Sequence, residues 1–174
     1  MSYNSDKEII AGCRRGDRGA QKALYDLYNS QMYTLAYRIT GNFEEAQDVL
    51  QEGFLQVFQN LGSFRGESRL GSWIHTIMAR KALARVRNRI EFMDIEAQQE
   101  TPSELFDFPI DVEYLEKAII ALPDGYRSIF TLYEIEGFKH SEIAEMLDIT
   151  ESTSKSQLHK AKRMLRLKLK EGVQ

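Results

Sequence analysis

Ala46-Gln47-Asp48-Val49-Leu50-Gln51-Glu52-Gly53-Phe54-Leu55-Gln56-Val57-Phe58 sets its small and apolar residues at a single spacing. Ala46, Val49, Leu50, Gly53, Phe54, Val57, Phe58 and, further on, Leu61 fall at i, i+3, i+4, i+7 and so forward, the period of an α-helix with one buried stripe. Asn42 stands where a helix cap would, Glu44 and Glu45 favour the positive end of the helix dipole, and Gly62 ends the run. Opposite the stripe, Asp48, Gln51, Glu52 and Leu55 form an acidic face with one apolar residue.

The helical period continues on both sides. Ala20, Ala23, Leu24, Leu27 and Tyr28, then Leu35, Ala36 and Ile39, predict an earlier helix that Gly41-Asn42 stops. After a loop, Ser63-Phe64-Arg65-Gly66-Glu67, a third helix is expected over 68–89 with Leu70, Trp73, Ile74, Ile77 and Ala84 as its apolar stripe. No stretch alternates with period two. Over 90–110 the pattern fails: Pro102, Pro109 and a run of acids read as a linker, about 70 Å long if fully extended. A second helical segment follows from Asp111 to about Lys170, with Pro123 suited to a first helical turn and Gly137 breaking the chain before His140. The fold expected is all-α: two small helical domains, 1–89 and 111–174, joined by an acidic flexible linker over 90–110.

A net charge of −3 over 174 residues conceals a block pattern. Residues 64–90 carry 7 basic side chains and 1 acid, 91–116 carry 9 acids and no Lys or Arg, and 151–174 carry 7 basic side chains and 2 acids. Two basic blocks around an acidic one suggest two anionic contacts, or two solvated helix faces. The single cysteine, Cys13, excludes a disulfide framework and a multi-cysteine metal site. No uncharged run approaches the roughly 20 residues that span a bilayer, and the N-terminus lacks a signal-peptide pattern, so a cytoplasmic protein is expected.

Motifs refine the charge reading. His140-Ser141-Glu142-Ile143-Ala144-Glu145-Met146-Leu147, then Asp148-Ile149-Thr150, then the helix opening at Glu151 read as a helix-turn-helix, with Asp148 at a turn position that favours a left-handed backbone. Ser154, Leu158, Ala161, Leu165 and Leu169 line the buried side of the second helix. Ser152, Thr153, Ser156, His159, Lys160 and Arg163 face away, hydroxyls and bases suited to a major groove. In the helix over 68–89, Arg69, Thr76, Arg80 and Arg87 project within about 40° of one another and are placed to track phosphates. Trp73 lies at the boundary, as a core anchor or a stacking aromatic, and the loop with Phe64, Arg65 and Ser68 offers a small pocket for an unstacked base.

Taken in order, these motifs resemble the extracytoplasmic-function (ECF, group 4) sigma factors of the sigma-70 class. Tyr37-Arg38-Ile39-Thr40-Gly41-Asn42, the stretch from Ala46 to Phe58, and Phe64-Arg65-Gly66-Glu67-Ser68-Arg69-Leu70-Gly71-Ser72-Trp73-Ile74 look like sigma region 2. Ala121-Leu122-Pro123, Glu136-Gly137-Phe138, Glu142-Ile143-Ala144 and the stretch from Lys155 to Lys162 look like region 4. The resemblance implies a bacterial transcription initiation factor that binds core RNA polymerase and directs it to promoters. Region 2 is then expected to dock on the β′ coiled coil through Asp48, Gln51, Glu52 and an anchor at Leu55 or Phe54. It is also expected to capture the −10 element through Phe64, Arg65, Ser68, Arg69, Trp73, Thr76, Arg80 and Arg87. Region 4 is expected to dock on the β flap and read the −35 element through Ser152, Thr153, Lys155, Ser156, Gln157, His159, Lys160 and Arg163. An anti-sigma factor is a further expected partner. The sequence departs from the family pattern at Gly71, Arg80 and Gln157, and from the usual helix-turn-helix pattern at Asp148 and Ser154.

His75, His140 and His159 fit no ligand spacing, and Gly12, Gly16 and Gly19 lack a phosphate-loop ending. No enzyme activity, cofactor, metal or small-molecule substrate is therefore expected. Two other readings share parts of the pattern: a LuxR-type helix-turn-helix regulator, and a sigma-like mimic that sequesters an anti-sigma factor.

Overall fold

The computed structural model describes residues 5–92 and 111–172, and among them the chain forms eight α-helices and no strand. They pack as two compact units, divided between Arg85 and Val86. The linker expected over 90–110 lies outside the described residues from 93 on.

In the first unit, α1 (Asp6–Arg14), α2 (Arg18–Thr40), α3 (Phe43–Asn60) and α4 (Leu70–Val86) begin and end where local chemistry dictates. Asp17 Oδ1 accepts from the Gly19 amide at 2.7 Å to open α2. Gly41, at φ 68°, closes it in the left-handed conformation that glycine adopts without strain. Asn42 Oδ1 accepts from the Glu45 amide at 3.0 Å and caps α3, as the sequence predicts. Ala46, Val49, Leu50, Gly53, Phe54 and Val57 are buried on α3, with Leu61 in the short 3₁₀ turn beyond it. Gly53 has a specific reason: a Cβ there would stand 2.2 Å from Sδ of Met78, which is itself fully buried on α4. Arg14 of α1 ties the far end, donating to the carbonyls of Leu61 at 3.3 Å and Phe64 at 2.6 Å.

Three details differ from the pattern expected. Leu27 is exposed on α2, which buries Leu24, Leu35 and Ile39 as expected and adds Met32 to them. Helix α4 runs from Leu70 and stops at Val86, tightening into a 3₁₀ turn over Arg87–Arg89, so Arg69 and Arg87 both lie outside the α-helical row that holds Thr76 and Arg80. Ala84 is exposed, while Met78, Ala79, Ala82, Leu83 and Val86 are buried, because α4 packs on more than one side. Gly71 also has a cause, since a Cβ there would meet the Tyr28 ring at 3.2 Å.

The second unit contains α5 (Val112–Ile120), α6 (Asp124–Phe130), α7 (His140–Leu147) and α8 (Glu151–Glu171). Residues 86–92 also belong to it, with Ile90 and Phe92 lying against Gly125 of α6. Pro123 caps α6 rather than entering its first turn, and α6 continues as a π-helical turn over Thr131–Ile135 that the sequence did not suggest. Between α5 and α6, the buried Arg127 donates to the carbonyls of Leu122 at 2.8 Å and Ile120 at 3.2 Å and pairs with Asp124. One guanidinium thus satisfies carbonyls at the end of α5 and a carboxylate at the start of α6. Replacing it, as in Arg127→Met, leaves the buried Leu122 carbonyl and the part-buried Ile120 carbonyl without this donor, while Asp124 keeps Arg89 at 3.0 Å. Denaturant unfolding of this variant is expected to lose about 2 kcal/mol; a loss below about 0.5 kcal/mol would show that the corner does not depend on Arg127.

Candidate protein and nucleic-acid interfaces

The inward stripe of α3 fixes what its outer side presents. Asp48, Gln51 and Glu52 are exposed, and Leu55 is 61% exposed among them. Phe54 is 3% exposed, packed against Tyr25 at a ring separation of 4.8 Å. The expectation that Phe54 could anchor a partner is therefore corrected: it is a core residue, and Leu55 alone of the two is available. The sequence missed Arg85. Its guanidinium reaches from α4 to Glu52 Oε1 at 2.7 Å and Asp48 Oδ2 at 3.8 Å, so the acidic face is already part-neutralised within the unit.

On α4 and the loop before it, Arg65, Ser68, Arg69 and Arg80 are exposed and Thr76 is half-buried. The Thr76 hydroxyl donates back to the Ser72 carbonyl at 3.0 Å. Gly66, at φ 76°, makes the sharp turn that holds Arg65 and Glu67 outward. Phe64 is buried against half-buried Trp73, with rings 5.1 Å apart and tilted 44°. Phe64 is thus removed from the set of expected base contacts, and it supports Trp73 from beneath.

The helix-turn-helix is α7, a turn at Asp148 and α8. Asp148 adopts φ 56° and ψ 49°, the left-handed conformation foreseen for it. Ile149 donates to the Ala144 carbonyl at 3.0 Å across the turn, and Thr150 Oγ1 caps α8 by accepting from the Thr153 amide at 3.0 Å. Ser152, Lys155 and Arg163 are exposed; Thr153, Ser156, His159 and Lys160 are half-buried. Gln157 is 2% exposed, which corrects its placement among the base readers. It shares the i, i+3, i+4, i+7 stripe with Ser154, Leu158 and Ala161, all buried.

Ser154 has a clear local role. His140 Nδ1 and Ser154 Oγ lie 2.8 Å apart, and Tyr133 stacks on the imidazole at a centroid distance of 4.2 Å. The hydroxyl of the fully buried Ser154 therefore closes a polar bond to half-buried His140 between α7 and α8.

The comparisons with known proteins follow this division. Residues 24–90 match Sigma-70 region 2 and residues 113–165 match Sigma-70, region 4. The ECF RNA polymerase sigma factor SigL of Mycobacterium tuberculosis (strain ATCC 35801 / TMC 107 / Erdman) is 30% identical over 172 residues, covering 93% of this chain and 96% of its own. SigW of Bacillus subtilis (strain 168), another ECF RNA polymerase sigma factor, is 27% identical, covering 95% of this chain and 97% of its own. The fold is similar to that of the sigma factor RpoE from Bartonella quintana, solved in complex with the anti-sigma factor NepR. The TM-score is 0.59 at 22% identity, over 86% of this chain and 96% of that one. The chain belongs to the ECF RNA polymerase sigma factors of the sigma-70 family and is a transcription initiation factor. Neither the LuxR-type reading nor the mimic is favoured by these matches.

The His140–Ser154 bond makes a pH prediction. Burial, followed by the field of Lys155, lowers the His140 pKa below its usual 6.5; Lys162 acts the same way, while Glu151 and Glu134 oppose them. Between those two pKa values the unfolded chain holds more protons than the folded one, so stability from this site is full above pH 6.5 and is lost as pH falls through the lowered value. The unfolding midpoint of the second unit is expected to fall between pH 7 and pH 5, and His140→Gln should flatten that dependence. An identical pH slope in the variant would remove His140 as its source.

Proposed function

We propose that α3 docks this chain on core RNA polymerase through Asp48, Gln51, Glu52 and Leu55, against a basic helical element such as the β′ coiled coil. The observation that carries this reading is Leu55, a large apolar side chain held in solvent at the centre of a charged face. An apolar anchor ringed by charges is the usual anatomy of a hot spot, with the charges steering approach. Arg85 would have to share or release Glu52 and Asp48 when a basic partner arrives.

The same reading assigns Arg65, Ser68, Arg69, Thr76, Arg80 and Arg87 to phosphate contacts at a single-stranded −10 element, with Trp73 as the neighbouring aromatic. It assigns Ser152, Thr153, Lys155, Ser156, His159, Lys160 and Arg163 to the −35 element, with the β flap as the second polymerase contact. The order of basic and acidic blocks supports two separate anionic contacts. An anti-sigma factor is a further proposed partner, in keeping with the one solved with RpoE. The chain would act in the cytoplasm by binding alone and carry no chemistry; no described helix is long and apolar enough to cross a membrane.

Two measurements test the assignment. Leu55→Asp is expected to weaken core polymerase binding by at least 2 kcal/mol, about 30-fold, in a fluorescence titration while leaving the melting curve unchanged. Unchanged affinity would remove α3 as the docking face. Lys160→Ala is expected to weaken promoter binding by the holoenzyme and to make the salt dependence shallower by about one unit of slope. An unchanged slope would show that Lys160 does not neutralise a phosphate.

A further inference from the structure

Beside the α3 face lies a feature that the docking reading does not use. Phe43, the first residue of α3, is 65% exposed, the second most exposed of the large apolar side chains described. It is not loose. Its ring stacks on Tyr37 of α2 at 4.5 Å and 13°, and Tyr37 stacks in turn on Tyr33 at 6.4 Å and 2°. Three aromatic rings thus form a ladder along α2 whose last rung is turned toward solvent.

In front of this ladder the surface is concave, lined by Tyr33, Phe43, Glu44, Gln47 and Asp48. Two of those five residues are acids and none is a base. Helix α3 begins here, and its N-terminal partial charge of about +0.5 is outweighed by the carboxylates of Glu44 and Asp48, although Arg85 stands 3.8 Å from Asp48. An electron-rich ring face beside two carboxylates and an amide is a site for a planar cation. A guanidinium stacks its plane on the ring while its fork donates to the acids, whereas an ammonium, which also donates, has neither the planar face nor the fixed fork. Asp48 belongs both to this concavity and to the face with Gln51, Glu52 and Leu55, so the two surfaces are continuous.

We infer that the concavity receives an arginine side chain from the basic helical element of core polymerase that docks on Asp48, Glu52 and Leu55. The footprint of that partner then extends past the first turn of α3 onto Tyr33 of α2. This rests on the docking reading above. It adds Phe43, Glu44 and Gln47 to the residues that set affinity, with Tyr37 as the positioning residue behind Phe43.

The test is titration of bacterial core RNA polymerase with the full chain and four variants, each first checked by its melting curve. Phe43→Leu keeps apolar bulk but removes the π face and is expected to weaken binding about tenfold. Phe43→Trp restores a ring and is expected to bind within about twofold of the unmodified chain. Glu44→Lys is expected to weaken binding more at low salt than at high salt, and it serves as the second probe should Phe43→Leu lower the melting temperature. Full affinity in Phe43→Leu, or equal weakness in Phe43→Leu and Phe43→Trp, overturns the arginine site. Leu55→Asp separates the two ideas. If it weakens binding while Phe43→Leu binds with full affinity, the concavity alone fails; if it binds normally, the docking reading fails and the concavity with it.

Discussion

The face of α3 that carries Gly53 is turned into the core of the first unit, packed chiefly against α2, and Met78 of α4 occupies the volume that a side chain on residue 53 would need. Closely packed interiors transmit such a constraint, because a helix brought near at one point cannot rotate at the next. With Gly53 inward, Val49, Leu50, Phe54 and Val57 must follow, and Asp48, Gln51, Glu52 and Leu55 must face out. The orientation of the proposed polymerase surface is therefore a consequence of core packing. The Asn42 cap and the left-handed Gly41 fix where α3 starts, which places Phe43 over Tyr37.

The second unit solves a similar problem with polar chemistry. Its helix-turn-helix needs α7 and α8 to cross closely, and a serine and a histidine meet at the crossing where a purely apolar contact would be the simpler choice. Tyr133 covers the imidazole from the π-helical turn, and Lys162 of α8 pairs with Glu134 of the same turn. The π turn is thus held to α8 from one side and to α7 from the other. Extra residues in a helical turn shift the phase of everything after them, and such turns are commonly found where a helix must present specific side chains.

Period and punctuation made most of this architecture readable in advance. The α3 stripe, the Asn42 cap, the break at Gly137, the helix-turn-helix and the left-handed Asp148 all rest on local rules that one sequence carries. Misreadings arose where two local rules competed or where the cause was distant. Phe54 fits both the buried stripe and the role of an exposed anchor, yet one side chain cannot face both ways. Gln157 is polar, so hydropathy hid a position whose spacing from Ser154, Leu158 and Ala161 marks it as buried. Phe64 reads as a loop residue, yet the fold buries it with Trp73 packed against its ring. Arg85 lies 33 residues from Glu52, and no periodicity signals that pair. The π turn leaves no compositional trace.

The most direct measurement is run-off transcription from a genomic promoter library with purified bacterial core polymerase, with and without this chain. The account predicts new start sites that depend on the chain and share two upstream elements, one for each basic surface. Core polymerase that neither binds the folded chain nor gains any start site in its presence would contradict the account.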